Sequence, residues 1–177
     1  MTGGERSWRS ALALYAEPRV LALVGLGFSA GLPYLLVFST LAAWLRDEGV
    51  PRTAIGFFGW VGITYSIKVL WAPVVDRVRV PLLGARLGDR RAWMLCAQAG
   101  IAGGLLAMAA LDPVAGLAPV AACAVLIAFC SATQDIAVDA WRIEAAGTDL
   151  QAALAAGYIL GYRVALLVAG AGALYVA

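Results

Sequence analysis

Two cations lie in runs of sequence that offer them no water: Lys68 within the apolar stretch 54–75 and Arg163 within 152–176. A charge inside a bilayer costs at least a few kcal/mol, so each calls for a neutralising partner or an aqueous cavity. At about 1.5 Å per helical residue, Arg163 falls about 17 Å into its run, near a bilayer midplane, and Lys68 lies roughly 10 Å from the nearer end of its own. Two readings stand side by side. Acids within the bundle neutralise the cations, or the cations give a cavity a positive lining that attracts an anionic substrate. Asp135 and Asp139 are the available acids, and their place near the end of a run makes them shallow partners for Arg163.

Those two acids belong to the densest polar feature near a membrane boundary, Ala132-Thr-Gln-Asp-Ile-Ala-Val-Asp-Ala-Trp-Arg142. Four residues apart, Asp135 and Asp139 share a helix face, with Arg142 within a turn of Asp139. Close carboxylates resist ionising together, so one of them becomes a proton carrier, an effect that Arg142 opposes. The alternative is a helix-end salt-bridge cluster. A DxxxD pair also serves magnesium-dependent membrane enzymes, but magnesium with a diphosphate needs a second acidic cluster, which the sequence lacks. An enzyme is therefore not expected. Neither is a metal or cofactor: the chain has no histidine and no CxxC, and Cys96, Cys123 and Cys130 read as small packing residues within apolar runs.

These residues must be held by membrane helices. The chain is 177 residues long, 63% hydrophobic and 14% charged, with mean hydropathy +0.86, against about 45–50% apolar and about 25% charged in soluble domains. At roughly 20 residues per crossing it holds about five. The expected fold is all-α and polytopic, with a cytoplasmic segment 1–19 lying along the membrane surface and a bundle over 20–177. Its helices are expected at about 20–45, 54–75, 92–111, 114–136 and 152–176. The first run after residues 1–19 is far longer than the apolar core of a cleavable signal. Gly31 and Pro33 should kink the first helix, and Asp112 with Pro113 should turn the third back as the fourth. A net charge of +2 with no basic stripe excludes nucleic acid as a partner.

Arg6, Arg9, Arg19, Arg77, Arg79, Arg86, Arg90, Arg91 and Arg142 fall on the side of the amino terminus, whereas the other side has only Arg46 and Arg52. The positive-inside bias therefore puts the amino terminus in the cytoplasm. Gly27 with Gly31, Gly100 with Gly104 and Gly157 with Gly161 are small-xxx-small pairs suited to close helix packing, with a hinge near Gly31 and Pro33 as the other use. The connection 76–91 starts with an acid and ends in an arginine pair. It reads either as a latch that forms and breaks ion pairs with neighbouring helix ends or as a plain topology marker.

Five blocks carry a resemblance: Leu26-Gly-Phe-Ser-Ala-Gly-Leu-Pro33, Ser39-Thr-Leu-Ala-Ala-Trp-Leu45, Tyr65-Ser-Ile-Lys-Val-Leu-Trp-Ala-Pro-Val-Val-Asp-Arg77, Ser131-Ala-Thr-Gln-Asp-Ile-Ala-Val-Asp-Ala140 and Gly161-Tyr-Arg163. In this order they resemble the AmpG muropeptide permeases of the major facilitator superfamily, which are related to acetyl-coenzyme A transporters. The resemblance implies a bacterial inner-membrane importer of anhydro-muropeptides, built on N-acetylglucosamine and anhydro-N-acetylmuramic acid and driven by protons. It also makes 76–91 similar to the facilitator signature, with Asp76, Arg77, Gly88, Arg90 and Arg91 in matching places and an insertion around Pro81. The expected substrate or cavity lining is Lys68, Gln134, Tyr162 and Arg163. Proton coupling or gating falls to Asp135, Asp139 and Arg142, and the cytoplasmic latch to Asp76, Arg77 and Arg91. Such permeases have two six-helix halves with the site between them, so the chain is expected to be part of a first half that needs the remainder of the transporter. The alternatives are a carrier of another anionic metabolite such as acetyl-coenzyme A, or a non-transporting membrane remnant.

Overall fold

A computed structural model describes residues 13–172 and Tyr175, apart from the Asp149 side chain; most of the segment 1–19 and the end of the fifth run lie outside the described residues. The described elements are helical: α1 (Pro18–Asp47), α2 (Arg52–Leu70), α3 (Ala72–Arg77), α4 (Leu83–Leu87), α5 (Asp89–Ala109), α6 (Leu117–Ala145) and α7 (Thr148–Leu167), the last continuing as a π-helical turn over Val168–Gly172. Five of them, α1, α2, α5, α6 and α7 with its π-helical turn, are long and apolar enough to cross a membrane.

Helix ends depart from the hydropathy pattern where local chemistry intervenes. The link between α5 and α6 covers residues 110–116 rather than Asp112 and Pro113 alone, and the Asp112 carboxylate accepts the Val114 N–H at 2.8 Å to form its turn. α6 runs on to Ala145 because Ala137 and Val138 remain fully packed against the bundle, although the polar residues after them lower the hydropathy. In α1, Pro33 lies inside the helix, and the chain widens into a π-helical turn at Leu36–Thr40. The extra residue in such a turn shifts the side chains that follow it around the axis.

The second span is broken. Pro73 has no N–H to give the Val69 carbonyl, and its ring crowds that carbonyl. The backbone responds by tightening to 3₁₀ geometry at Lys68–Leu70, with Leu70 N–H bonded to Ile67 O at 2.9 Å and Trp71 N–H to Lys68 O at 3.3 Å. α3 then restarts with Pro73 in its first turn, where the missing donor does no harm. Lys68 therefore occupies a helix discontinuity.

Glycine sets the closest helix contacts. A Cβ on Gly27 would fall on the Tyr158 carbonyl and one on Gly161 on the Val24 carbonyl, so α1 and α7 touch backbone to backbone. Gly31 faces Ala165 and Gly157 faces Val20 in the same seam, with a would-be Cβ only 2.8 Å and 2.9 Å from their side chains. On the other side of the bundle Gly100 accommodates the Cys130 sulfur and Gly104 the Ile127 side chain. Lipid supplies no hydrophobic force between helices, so this intimacy and its dispersion contacts hold the pairs together. Replacing Gly161 with Val should cost about 1–3 kcal/mol by forcing α1 and α7 apart. Gly103→Ala, whose Cβ would meet nothing within 4 Å, should be neutral or gain up to about 1 kcal/mol. SDS-unfolding midpoints of the two variants check this contrast.

Candidate functional site

Apolar packing divides into two clusters. One gathers Val37, Leu41, Leu45, Val61, Ile101, Met108 and, on α6, Val120, Ala124, Ile127 and Ala128; the other gathers Val20, Leu23, Val75, Met94, Ala137, Val138, Ala153 and Leu154. Between the two clusters, α1, α5, α6 and the second span each contribute polar side chains: Ser29, Gln98, then Ser131, Thr133, Gln134 and Asp135, and Lys68. A polar layer thus crosses the bundle at a common level.

Hydrogen bonds knit this layer. Ser29 Oγ accepts from Gln98 Nε2 at 3.2 Å and from Gln134 Nε2 at 3.1 Å, which joins α1, α5 and α6. The Trp71 indole donates to Thr133 Oγ1 at 3.1 Å, and Thr133 in turn donates to the Phe129 carbonyl at 2.7 Å. At the centre Lys68 Nζ meets Asp135 Oδ2 at 3.4 Å, while the Tyr158 hydroxyl donates to Asp135 Oδ1 at 3.3 Å. The Lys68 side chain is 35% exposed and that of Asp135 19%, so the pair is held in the bundle wall yet open on one side.

Besides Tyr158, which bonds Asp135, the bundle holds further clustered aromatic rings. Tyr34 and Phe38 lie 5.0 Å apart on α1, and both approach Tyr65 of α2, at 5.9 and 6.1 Å. Tyr158 and Tyr162 stand 6.3 Å apart on α7. Among the described residues, Gln134 Oε1 is buried with no hydrogen-bond partner, and the buried hydroxyls of Tyr65 and Ser131 have only each other. Buried oxygens without partners are costly and uncommon, so this wall has hydrogen-bonding capacity left for water or a ligand.

The residues singled out from sequence fall into separate groups. Lys68, Asp135 and Gln134 meet in the polar layer, with Gln134 fully buried and bonded to Ser29. Tyr162 is half-buried beside Tyr158. Arg163 is exposed on α7, and it is Lys68 that takes the Asp135 carboxylate. Asp139 has a partner of its own, Arg142, at 3.2 Å one turn on. The Arg142 carbonyl accepts from Gln151 Nε2, which also bonds the Ala146 carbonyl at 2.9 Å and so closes the end of α6.

At the end of the bundle near Arg77, the ion-pair centre is Arg90. Its guanidinium bonds Asp76 at 2.7 Å and Glu144 at 3.0 Å, tying α3, α5 and α6. Arg77 and Arg91 are exposed. Sequence reasoning missed Glu144, because α6 was expected to end before it. Gly88, with φ +84°, precedes the start of α5, and on that helix Arg90 rather than Arg91 meets Asp76. Tyr65, Tyr158 and Ser29 were also missed as site residues; Tyr65 three positions before Lys68 was the one available signal. Among the described residues, no three His, Cys, Asp or Glu side chains come together as a metal site.

A family model described as acetyl-coenzyme A transporter 1 matches residues 19–112. The anhydromuropeptide permease of Escherichia coli K12 is 42% identical over 166 residues, covering 94% of this chain and 33% of that protein. The Rickettsia conorii transporter named AmpG 4 is 37% identical over 164 residues, covering 93% of this chain and 39% of its own, and the AmpG 3 transporter of Rickettsia typhi is 31% identical over 163 residues. The chain thus spans about a third of the length of these relatives. With its apolar helices and permease relatives it is a multi-pass membrane protein, and by sequence it belongs to the acetyl-coenzyme A transporter family, alongside the AmpG permeases.

Proposed function

We propose that the chain forms the amino-terminal, substrate-handling part of a proton-linked permease that imports anhydro-muropeptide-like anions across a bacterial inner membrane. In this reading residues 20–177 form the bundle, the amino terminus and segment 1–19 are cytoplasmic, and the remainder of the transporter closes the site. The observation that carries the proposal is the Lys68–Asp135 pair in the polar layer, open on one side and bonded by the Tyr158 hydroxyl. A protonated Asp135 no longer neutralises Lys68, and a free ammonium in such a place attracts a carboxylate. Proton arrival and anion capture are thereby coupled through one ion pair.

The other residues take supporting roles. Gln134 and Tyr162 offer hydrogen bonds beside the pair, and exposed Arg163 adds positive charge on α7. Asp139 with Arg142 sets the field at the cytoplasmic end of α6. Asp76, Arg77 and Arg91 form the latch together with Arg90, whose bonds to Asp76 and Glu144 must open if α5 is to shift against α3 and α6. Transport rather than catalysis is the reading that the permease relatives favour. Acetyl-coenzyme A, suggested by the family description, is the second substrate class, and competition against labelled anhydro-muropeptide uptake separates the two.

Removing one partner of the pair should cost more than removing both. Asp135→Leu leaves a lone ammonium and should destabilise by about 1–3 kcal/mol, whereas Lys68→Met with Asp135→Leu should recover at least half of the loss. A double-mutant cycle on SDS unfolding measures this. In vesicles containing the full-length transporter, Lys68→Gln and Arg163→Gln should each weaken uptake of labelled anhydro-muropeptide, Lys68→Gln by at least about tenfold. Unaltered uptake by both variants contradicts a positively lined path.

A further inference from the structure

At the end of the bundle opposite the Asp76–Arg90–Glu144 cluster lies a groove of about 600 Å³ between α1 and α2, walled by Phe38, Ser39, Ala42 and Ile55 and rimmed by Arg46 and Arg52. Apart from the two intramembrane cations, these arginines are the only positive residues in the sequence that lie away from the amino-terminal side. Topology disfavours cations there, yet both line the same depression. Arg46 spends little of its charge on Asp47, at 3.3 Å and with both side chains largely exposed.

The groove is also connected. Phe38 is at once its inner wall and a member of the aromatic cluster with Tyr34 and Tyr65. Tyr65 in turn precedes Lys68 by three residues. The π-helical turn of α1 makes the arrangement possible: Thr40 turns to bond the Ala169 carbonyl on α7 at 2.9 Å, while Ser39 next to it faces the groove. Gly62 on α2 leaves room for the Phe38 ring, 3.4 Å from where its Cβ would be.

We infer that this groove is an anion-docking site at the outer mouth of the transport path, where Arg46 and Arg52 take a carboxylate of the incoming solute before it reaches Lys68. The inference rests on the function proposed above. Two exposed arginines at a low-dielectric edge focus their field into the groove and raise the local concentration of anions. Screening shortens that reach to about 10 Å at 0.1 M salt. A phospholipid headgroup presents the same anionic oxygens, and the test below separates the two sources.

The full-length transporter is reconstituted in zwitterionic phosphatidylcholine vesicles, and uptake of labelled anhydro-muropeptide is compared with that of the same compound with its carboxylates amidated. Arg46→Gln with Arg52→Gln should raise KM for the carboxylated form roughly tenfold at low salt. KM for the amidated form should stay unchanged, and Arg46→Lys with Arg52→Lys should restore the original behaviour. Equal effects on both forms overturn the inference. So does an effect that appears only when anionic phospholipid is added, since the groove then belongs to lipid. In parallel, maleimide labelling of Ser39→Cys, on a background without native cysteines, should be slowed by anhydro-muropeptide or by acetyl-coenzyme A only while the arginines are present. Absence of muropeptide uptake in the unmodified transporter overturns the proposed function, whereas labelling that neither anion slows overturns the docking site.

Discussion

An ammonium and a carboxylate carried inside lipid-spanning helices are tolerable only together, and the arrangement of this bundle follows from that condition. Neither Lys68 nor Asp135 can turn to bulk water along its whole length, so α2 must bring one to α6 at the level of the other. The helix break created by Pro73 lets Lys68 leave the regular α-helical phase, and Tyr158 from α7 takes the second carboxylate oxygen. Three helices are thereby fixed relative to one another by a single acid. A fully apolar layer of the same volume would be at least as stable. Keeping charge there makes sense if it has work to do.

The two apolar clusters on either side of the polar layer act as separate packing units, and the glycine seam between α1 and α7 adjoins the one that holds Val20, Leu23 and Leu154. This division gives the bundle stiff ends and a hydrogen-bonded middle. Ser29 accepting from two glutamines, one of them fully buried, shows how closely the middle is matched. Gln134 Oε1, which has no partner among the described residues, shows where it is left open. At the amino-terminal end the Arg90 cluster adds a polar clamp across α3, α5 and α6. Its members are exposed enough that each bond contributes little by itself, which suits a contact that must break and re-form.

The fold was legible because it rests on one-dimensional signals. Runs of about 20 apolar residues mark spans whatever their neighbours do, and paired glycines mark close contacts whatever the partner. Lys68 and Asp135 were each visible as intramembrane or near-membrane charges for the same reason. Neutralisation by bundle acids was one of the two open readings, but which acid meets Lys68 was not legible, since no spacing rule links residues 67 positions apart. Helix phase was the other blind spot. The phase of α5 presents Arg90 rather than Arg91 to Asp76, and the π-helical turn at Leu36–Thr40 redirects Ser39 and Thr40. Hydropathy also stopped α6 too early, which hid Glu144.

The central claim is that one ion pair couples proton and anion. It is tested most directly by comparing substrate exchange with accumulation in vesicles containing the full-length transporter with Asp135→Asn. The account predicts that the amide variant, with Lys68 permanently unneutralised, still exchanges labelled for unlabelled anhydro-muropeptide across the membrane but no longer concentrates it when a pH gradient is applied. Gradient-driven accumulation at the original level by Asp135→Asn would contradict it.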